Sequence, residues 1–288
     1  MDFQENILLS MHTSFRVGGP ARWFVQVKSI KEIEEAMIFA KEKNITWFIL
    51  GGGTNTLVSD KGFDGLVIKM ANREVKIEGG RVVVGSGAMT VNIARIAADA
   101  GLSGLEWAAS LPGTIGGAVR GNAGCFGGEM KDVVESISVL QSDFVAERRN
   151  SDCKFGYRDS VIKHSKEIIV EVTLKLVQGD KVEIKKKMEE VMSRRNTTQP
   201  IASGTAGCVF KNPLVEGKLM SCGKIIDDLG LKGTKIGGIQ ISDVHGNFLI
   251  NLGGATADDV VQMISLIKTR SRNGLGIQLS EEIEYIGF

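Results

Sequence analysis

Residues 110–128 read SLPGTIGGAVRGNAGCFGG, and the rest of the chain can be interpreted from this stretch outward. Seven of its nineteen residues are glycine, and Arg120 is its only charged residue. The glycines alternate with Leu, Ile, Ala and Val, which predicts a packed loop and not a solvated linker. Glycine also lets the backbone approach a ligand closely and point N–H groups at an anion. We therefore expect a backbone cradle for a large, partly apolar ligand; a packed turn without a ligand is the alternative.

The composition is that of an ordinary globular protein and excludes several function classes. The 288 residues favour about two domains. With 35 basic and 34 acidic residues the net charge is +1, so there is no basic surface for nucleic acid or anionic membrane. No apolar run approaches the ~20 residues of a membrane span. The polar start, residues 1–6, lacks a signal-peptide pattern, so we expect a cytoplasmic protein.

The cysteine and histidine content argues against a metal site. The four cysteines show no C-x-x-C spacing, and the chain has three histidines. Free thiols in a reducing compartment are the expected state.

Hydrophobic periodicity and capping patterns predict alternating helices and strands. The predicted helices span residues 29–44, 91–100, 180–195, 221–229 and 256–272. The predicted strands span residues 47–50, 66–70, 75–78, 81–85, 133–140, 168–176, 238–241 and 248–251. His245 and Asn247 flank a glycine between the last two strands, and we interpret both as turn residues. A Gly/Ser/Thr-rich passage, 203–207, follows Gln199-Pro200 and predicts a domain boundary.

The second glycine-rich segment, GGGTNT at 51–56, directly follows a predicted strand. A strand leading into glycines commonly presents backbone amides to a phosphate. No G-x-G-x-x-G here opens a helix, and no G-K-[ST] follows. The segment is therefore neither a Rossmann site nor an NTPase site.

Three polar clusters lie in segments that are otherwise poor in charge: FGYRDS at 155–160, GCVFKNP at 207–213 and SEEIE at 280–284. They offer an arginine, a thiol and carboxylates for chemistry. Each also has a structural explanation: a solvated arginine, an inert buried cysteine and an exposed acidic edge strand. Taken singly, none of them decides between the two explanations.

Taken in order, the motifs resemble one family. GGGTNTLVSD, LPGTIGGAVRGNAGCFGGE, FGYRDS, AGCVFKNP, GGIQISDVHGNFLIN and EEIEYIG are similar to the UDP-N-acetylenolpyruvoylglucosamine reductase family, and the resemblance covers about residues 13–287. It implies an α+β fold: a two-lobed FAD-binding domain of the vanillyl-alcohol-oxidase (PCMH) type at 1–198, with lobes at about 1–70 and 71–198. A smaller α/β substrate-binding domain is implied at 199–288. The short chain resembles the compact branch, which lacks a tyrosine-bearing substrate loop.

The resemblance also implies the cofactor residues. FAD would be held non-covalently, because no His or Cys stands within GGGTNT. The backbone would bind its pyrophosphate and flavin, through N–H groups except at the proline, along Gly51, Gly52, Gly53, Thr54, Asn55, Thr56, Pro112, Gly113, Gly116, Gly117, Asn122, Ala123 and Gly124.

The resemblance implies the catalytic and substrate residues as well. Arg158 matches the active-site arginine, Glu282 the active-site glutamate, and Cys208 the proton donor, where most members have Ser. The substrate contacts implied are Asn212 and Gln240. From their position before the boundary, Arg194 and Arg195 are candidates for the substrate diphosphate. A basic last turn that complements the helix dipole is the alternative for the pair.

The reaction implied has two halves. NADPH would reduce the flavin, and the reduced flavin would deliver hydride to the enolpyruvyl ether of UDP-N-acetylglucosamine enolpyruvate, giving UDP-N-acetylmuramate for peptidoglycan. Arg158 would stabilise the developing enolate, and Cys208 would protonate the α-carbon. Phe126 stands where many members have Tyr. An FAD-dependent oxidase of the same fold and a non-catalytic nucleotide-binding protein are the alternatives. A monomer with no nucleic-acid or membrane partner is expected.

Overall fold

The structure is a computed structural model that describes residues 1–141, 144–200 and 204–288. The α-helices are α1 (Ile30–Glu42), α2 (Thr90–Asp99), α3 (Ile115–Arg120), α4 (Lys181–Thr198), α5 (Cys222–Asp228) and α6 (Ala257–Leu275). The strands of the first half are β1 (Gln4–Leu8), β2 (Pro20–Val27), β3 (Thr46–Leu50), β4 (Thr56–Val58), β5 (Phe63–Met70), β6 (Val75–Glu78), β7 (Arg81–Gly85), β8 (Leu102–Ser103), β9 (Gly124–Cys125) and β10 (Gly128–Glu129). Those of the second half are β11 (Val134–Gln141), β12 (Phe144–Arg149), β13 (Ile168–Lys175), β14 (Val177–Gln178), β15 (Leu214–Val215), β16 (Lys218–Leu219), β17 (Lys235–Ile236), β18 (Ile239–Ile241), β19 (Leu249–Asn251) and β20 (Glu284–Ile286).

The chain packs into two compact units. The first contains residues 1–3, 25–52 and 67–195, and the second contains residues 4–24, 53–66 and 196–288. Residues 4–24 and 53–66 thus pack with the C-terminal residues, so the two units cannot be separated by a single boundary in the sequence. The domain boundary at 198/199 stays a prediction, and Ser203 of the boundary passage lies outside the described residues.

The first unit is built on a five-stranded antiparallel sheet with the order β12-β11-β13-β7-β6. Its inward residues, such as Ile137, Val172 and Val84, lie opposite one another in register and are buried. The apolar face of α2 packs on the same core. Alternating hydrophobic residues bury one face of β7, β11 and β13, and the sequence predicts these strands for that reason. The edge strand β12 was not predicted, because its residues are mostly exposed and polar and give no such signal.

The second unit has its own core around α6, whose inward residues Val260, Ile264 and Ile267 are buried as the periodicity predicted. Thr256 and Asp259 form the expected capping box at its start. The three-stranded sheet β17-β18-β19 belongs to this unit. So does the parallel pair of β20 with β4, in which Glu284 lies opposite Thr56.

The glycine stretch 110–128 differs from the expected loop, because it contains the short helix α3. Thr114 caps this helix by accepting a hydrogen bond from the Gly117 amide. Ile115 and Val119 are fully buried in the core of the first unit. Tertiary packing therefore outweighs the poor helix propensity of two consecutive glycines.

A four-stranded sheet with the order β1-β2-β5-β3 completes the principal topology. The polar cap predicted for α1 is present, with the Ser29 hydroxyl accepting from the Glu32 amide. The helix itself ends at Glu42, two residues before the predicted end. Among the described residues, no helix is long and apolar enough to cross a membrane.

Candidate functional site

The two glycine-rich segments predicted to bind a cofactor meet within the first unit. A Cβ on Gly52 would lie 2.7 Å from the Gly113 Cα, and a Cβ on Gly51 would lie 2.5 Å from the Thr114 Oγ1. The contact at Gly52 is with backbone, so this approach requires glycine at 52. At Gly51 the atom in the way is the Thr114 hydroxyl, which would have to move and give up its cap on α3. The structure thus brings together the start of GGGTNT and the Pro112–Gly113 turn, as expected of one cradle.

A buried hydroxyl without a partner lies close to this cradle in the sequence. Ser110 Oγ is inaccessible and has no hydrogen-bond partner within the described part of the chain. It stands two residues before Pro112, at the entrance to the glycine stretch. Buried polar atoms are rarely left unpaired, and one beside such a backbone suits a group such as FAD. The sequence analysis did not identify Ser110 as a site residue, because a single serine before Leu-Pro-Gly has no pattern that indicates ligand binding.

Several predicted cofactor amides are already used by the protein. The Gly116 amide donates to Ser86 O, the Gly117 amide to Thr114 Oγ1, and the Ala123 amide to Ala118 O. The Asn122 amide donates to Val119 O. These residues shape the cradle through α3, and a direct cofactor contact for each of them stays a prediction.

Immediately after α3, a tight hairpin joins β9 to β10. Cys125 pairs with Gly128, and the two turn residues Phe126 and Gly127 have φ of +52° and +92°. Positive φ at both central residues is the geometry of a type I′ turn, which matches the twist of the strands. The Arg194 guanidinium lies 5.4 Å from the centroid of the Phe126 ring. The guanidinium thus makes a cation–π contact with the Phe126 ring. The positive φ of Phe126 is an unfavourable backbone conformation for phenylalanine.

Three positively charged arginine side chains lie near this hairpin. Burial raises the pKa of the Cys125 thiol, while Arg195 and Arg158 both act to lower it, which places their charges near the thiol. Together with Arg194 over Phe126, three predicted site arginines surround one hairpin of the first unit. The arrangement can bind anionic groups, and the diphosphate contact of the arginine pair stays a prediction.

Arg158 itself occupies a strained position in a tight turn. Gly156 and Asp159 exchange backbone hydrogen bonds of 2.9 and 3.3 Å, so Tyr157 and Arg158 are the two central residues. Arg158 has φ of +54°, a conformation that usually belongs to glycine or asparagine. Its Nη2 donates to Gly124 O at 2.7 Å, which ties the guanidinium to the hairpin. Strain of this kind is characteristic of functional positions.

Cys208 lies in the second unit, in an extended segment that pairs on both sides. Cys208 forms a bridge with Phe248, and the next amide, that of Val209, donates to Asn247 O at 2.9 Å. A second thiol, Cys222, is nearby: burial raises its pKa to about 12, and Cys208 contributes to the shift. Cys222 is fully buried and inert, whereas Cys208 is partly exposed. Cys208 is therefore the thiol of this unit that can meet a ligand.

Glu282 lies on the other side of the same segment. Its amide donates to Val209 O at 2.7 Å, and Phe210 bridges Glu281. The Glu281 carboxylate pairs with Lys268, 2.8 Å away. Glu282 stays the candidate acid that the family resemblance implies. The structure thus brings Cys208 and Glu282 onto neighbouring extended segments, although 74 residues separate them in the sequence.

The end of GGGTNT reaches the same place in the second unit. Asn55 Nδ2 donates to Glu282 O at 3.0 Å, and the Glu284 amide donates to Asn55 O. Thr56 then begins β4, which runs parallel to β20. Residues predicted for the cofactor and for catalysis are therefore hydrogen-bonded to each other here.

The predicted substrate residues Asn212 and Gln240 also lie in the second unit. Asn212 Oδ1 accepts from the Cys222 amide at 2.9 Å, at the start of α5. Gln240 Nε2 donates to Asp243 Oδ2 at 3.1 Å. Both side chains have protein partners, and their substrate contacts stay predictions.

Asn247 does more than complete a turn. Its Oδ1 accepts from the Phe210 amide at 2.9 Å, and its Nδ2 donates to Phe210 O at 2.8 Å. His245 does have the expected turn role, since its Nδ1 accepts from the Asn247 amide. Asn247 therefore fixes the segment that bears Cys208, a role that depends on a contact across 37 residues and gave no local signal. Among the described residues, no group of His, Cys, Asp and Glu could hold a metal ion.

Comparison with known proteins gives one consistent result. Residues 199–286 match the family described as UDP-N-acetylenolpyruvoylglucosamine reductase, C-terminal domain, and residues 21–143 match the family described as FAD binding domain. The chain is 40% identical over 281 residues to the UDP-N-acetylenolpyruvoylglucosamine reductase of Caldanaerobacter subterraneus, covering 97% of this chain and 92% of the relative. It is 39% identical to the Prochlorococcus marinus protein of that name, covering 99% and 98% of the two chains.

A solved structure agrees. A crystal structure of UDP-N-acetylenolpyruvylglucosamine reductase (MurB) from Thermus caldophilus superposes with a TM-score of 0.85 at 36% identity, covering 99% of this chain and 100% of that chain. The expected combination of an FAD-binding domain with a family-specific C-terminal domain is confirmed.

Proposed function

The chain belongs to the UDP-N-acetylenolpyruvoylglucosamine reductase family, and we propose that it reduces the enolpyruvyl ether of UDP-N-acetylglucosamine enolpyruvate with NADPH and FAD. The product is UDP-N-acetylmuramate, a peptidoglycan precursor. The observation that carries the proposal is the pairing of the Cys208 segment with the Glu282 segment, tied by Asn55 to a cofactor loop. It supports one site that contains a thiol, a carboxylate and the end of the GGGTNT segment.

FAD fits the glycine cradle described above. Gly51, Gly52 and Gly113 would hold its pyrophosphate and flavin through the backbone, and Ser110 Oγ would find a partner in it. Bound FAD would supply hydride-transfer chemistry between NADPH and the enolpyruvyl group. All other steps fall to the side chains of the protein.

Arg158 is proposed to bind the enolpyruvyl carboxylate. As the reaction proceeds, negative charge grows at the α-carbon and spreads into that carboxylate. A planar guanidinium can form a bidentate pair with both oxygens, which a lysine cannot do. The bond from Arg158 Nη2 to Gly124 O supports a fixed orientation for this group.

Cys208 is proposed to protonate the α-carbon. The Sγ–H bond breaks, the C–H bond forms, and the thiolate regains a proton from solvent. An ordinary thiol has a pKa of about 8.5, so it carries its proton at neutral pH and releases it more readily than the serine found in most members. Glu282, on the adjacent segment, would orient the donor or polarise the reacting region.

The remaining roles concern the sugar nucleotide. Arg194 and Arg195 are proposed to contact its diphosphate with charge-assisted hydrogen bonds. Their position beside Phe126 and Cys125 supports this assignment. Asn212 and Gln240 are proposed as further substrate contacts. A cytoplasmic monomer is proposed as well, to be checked by cell fractionation and by light scattering.

The test is an anaerobic titration of the purified protein. NADPH should bleach the flavin absorbance, and the enolpyruvyl sugar nucleotide should then restore it with formation of the lactyl ether. Recovery only upon admission of air would favour an oxidase of the same fold. A colourless protein that still binds the sugar nucleotide would favour a non-catalytic nucleotide-binding protein.

A further inference from the structure

Asn122 uses its whole side chain inside the protein. It is completely buried, with 0% of its surface exposed. Its Nδ2 donates to Gly156 O at 2.8 Å and to Glu129 Oε2 at 2.7 Å, and its Oδ1 accepts from the Lys131 amide at 3.0 Å. One amide group therefore joins the end of α3, the end of the β9–β10 hairpin and the turn at residue 156.

The hydrogen bond to Gly156 O connects Asn122 to the turn that bears Arg158. Gly156 opens that turn and exchanges both backbone hydrogen bonds with Asp159. The carbonyl held by Asn122 is thus two residues from Arg158. At the other end of the turn, the buried Ser160 donates its hydroxyl to Arg120 O at 2.6 Å. The turn is fixed at one end to Arg120, the last residue of α3, and at the other end to Asn122, two residues further on.

Such fixing is needed because Arg158 has φ of +54°. A non-glycine residue in this conformation persists only where its surroundings hold it there. Asn122 also has positive φ, +42°, which asparagine tolerates better than most residues. Two unfavourable backbone conformations are thus stabilised by one shared hydrogen-bond network.

We propose that Asn122 is a positioning residue for Arg158, holding the turn 156–159 so that the guanidinium meets the substrate carboxylate in the reacting geometry. This inference rests on the proposed role of Arg158. It gives Asn122 a function in substrate reduction that is distinct from contact with the cofactor. A misplacement of about 1 Å in such a group is enough to cost on the order of 100-fold in rate.

The experiment uses Asn122→Gly in the FAD-loaded enzyme, because glycine keeps the positive φ and removes the amide group. Re-oxidation of the reduced flavin by the enolpyruvyl substrate should slow on the order of 100-fold. Reduction by NADPH should stay within about twofold, since the role proposed for Arg158 concerns the enolpyruvyl carboxylate alone. Asn150→Ala is the matched control: Asn150 Nδ2 donates to Lys131 O and Val134 O in the same unit, without contacting the turn. It should leave both half-reactions unchanged.

A double-mutant cycle separates positioning from a merely structural role. In an Arg158→Lys background, Asn122→Gly should add less than about threefold to the slowing, because both changes act through one group. The full 100-fold effect in that background would overturn the proposal, and so would an unchanged rate for Asn122→Gly alone. If Arg158→Lys alone keeps the normal rate, the proposed role of Arg158 fails and this inference with it.

A second variant covers the possibility that Asn122→Gly does not fold. Ser160→Ala removes the bond at the other end of the turn. It should slow re-oxidation by about tenfold while leaving reduction by NADPH unchanged. Equal slowing of both half-reactions would overturn the proposal.

Discussion

The glycine cradle of the first unit and the thiol–carboxylate segments of the second unit are built in opposite ways. In the cradle, Gly52 and Gly113 approach because neither has a side chain. In the second unit, the Cys208 segment is held by a buried side chain, that of Asn247, which bonds to both polar groups of Phe210. Adding an atom should therefore damage the first region, whereas removing atoms should damage the second.

The largest expected effect is the loss of FAD from Gly52→Ala, because a protein without flavin performs neither half-reaction. The new Cβ would lie 2.7 Å from the Gly113 Cα, and a backbone atom cannot move aside as a flexible side chain could. Overpacking of about 1–3 kcal/mol in the cradle should weaken FAD binding by about 10- to 100-fold. The flavin absorbance of the purified protein and an FAD titration measure this.

Gly121→Ala is the control for that change. It lies in the same glycine-rich stretch, and its Cβ would lie 3.6 Å from Gly117 O, an ordinary contact. Its φ of −91° is open to alanine. If Gly121→Ala loses flavin as readily as Gly52→Ala, the close approach of the two loops is not what holds the cofactor.

The next effect should come from Cys208→Ala. Without a proton donor, the enolpyruvyl half-reaction should slow by about 100-fold or more, while reduction by NADPH stays unchanged. Cys208→Ser should keep part of the rate, since a hydroxyl can donate a proton from the same position. Stopped-flow absorbance resolves the two half-reactions.

Cys222→Ala, at the neighbouring thiol, is the control for the proton donor. Cys222 is fully buried, so its loss should affect stability and leave both half-reactions intact. An unchanged enolpyruvyl rate for Cys208→Ala would remove Cys208 from the mechanism.

A smaller effect, on stability, is expected for Asn247→Ala. It leaves the buried amide and carbonyl of Phe210 without partners, which should lower the free energy of unfolding by about 2–4 kcal/mol. Gln262→Ala removes one exposed hydrogen bond, to Asp258, and should change stability by less than about 0.5 kcal/mol. Urea unfolding measures both free energies. Equal values would show that the two hydrogen bonds between Asn247 and Phe210 stabilise the fold no more than one exposed hydrogen bond does.

The smallest effect is a pH dependence from His245. Burial, with Lys232 as a further cause, lowers the pKa of His245 below its ordinary value of 6.5. The unfolded chain therefore binds the proton more readily than the folded protein does. The stabilisation is complete above pH 6.5 and declines as the pH falls from there towards the lowered pKa.

The measurement for His245 is the free energy of unfolding between pH 8 and pH 5, compared with His245→Gln. The advantage of the unaltered protein should shrink as the pH falls below 6.5. A protonated ring also cannot accept the hydrogen bond from the Asn247 amide, which gives the same direction. If the difference in unfolding free energy between the two proteins stays constant with pH, protonation of His245 does not affect the stability of the fold.

The sequence by itself predicted the regular elements and most of the chemistry. Alternation identified strands such as β13, and the capping box at Thr256 located α6, because both signals come from residues close together in the chain. The ordered motifs identified Arg158, Cys208 and Glu282 as candidates, because the type and spacing of residues within a motif can be read directly from the sequence.

Tertiary structure alone decided how these residues are held. The helix α3 forms in a glycine-rich stretch because Ile115 and Val119 gain burial in a core that no local window contains. The sequence indicated Asn122 as a cofactor residue and Asn247 as a turn residue, but not the hydrogen bonds of their side chains to residues 34 and 37 positions away. Hydrogen bonds and close contacts of this kind depend on which segments the packing of a core brings together, and that is why the sequence alone could not predict them.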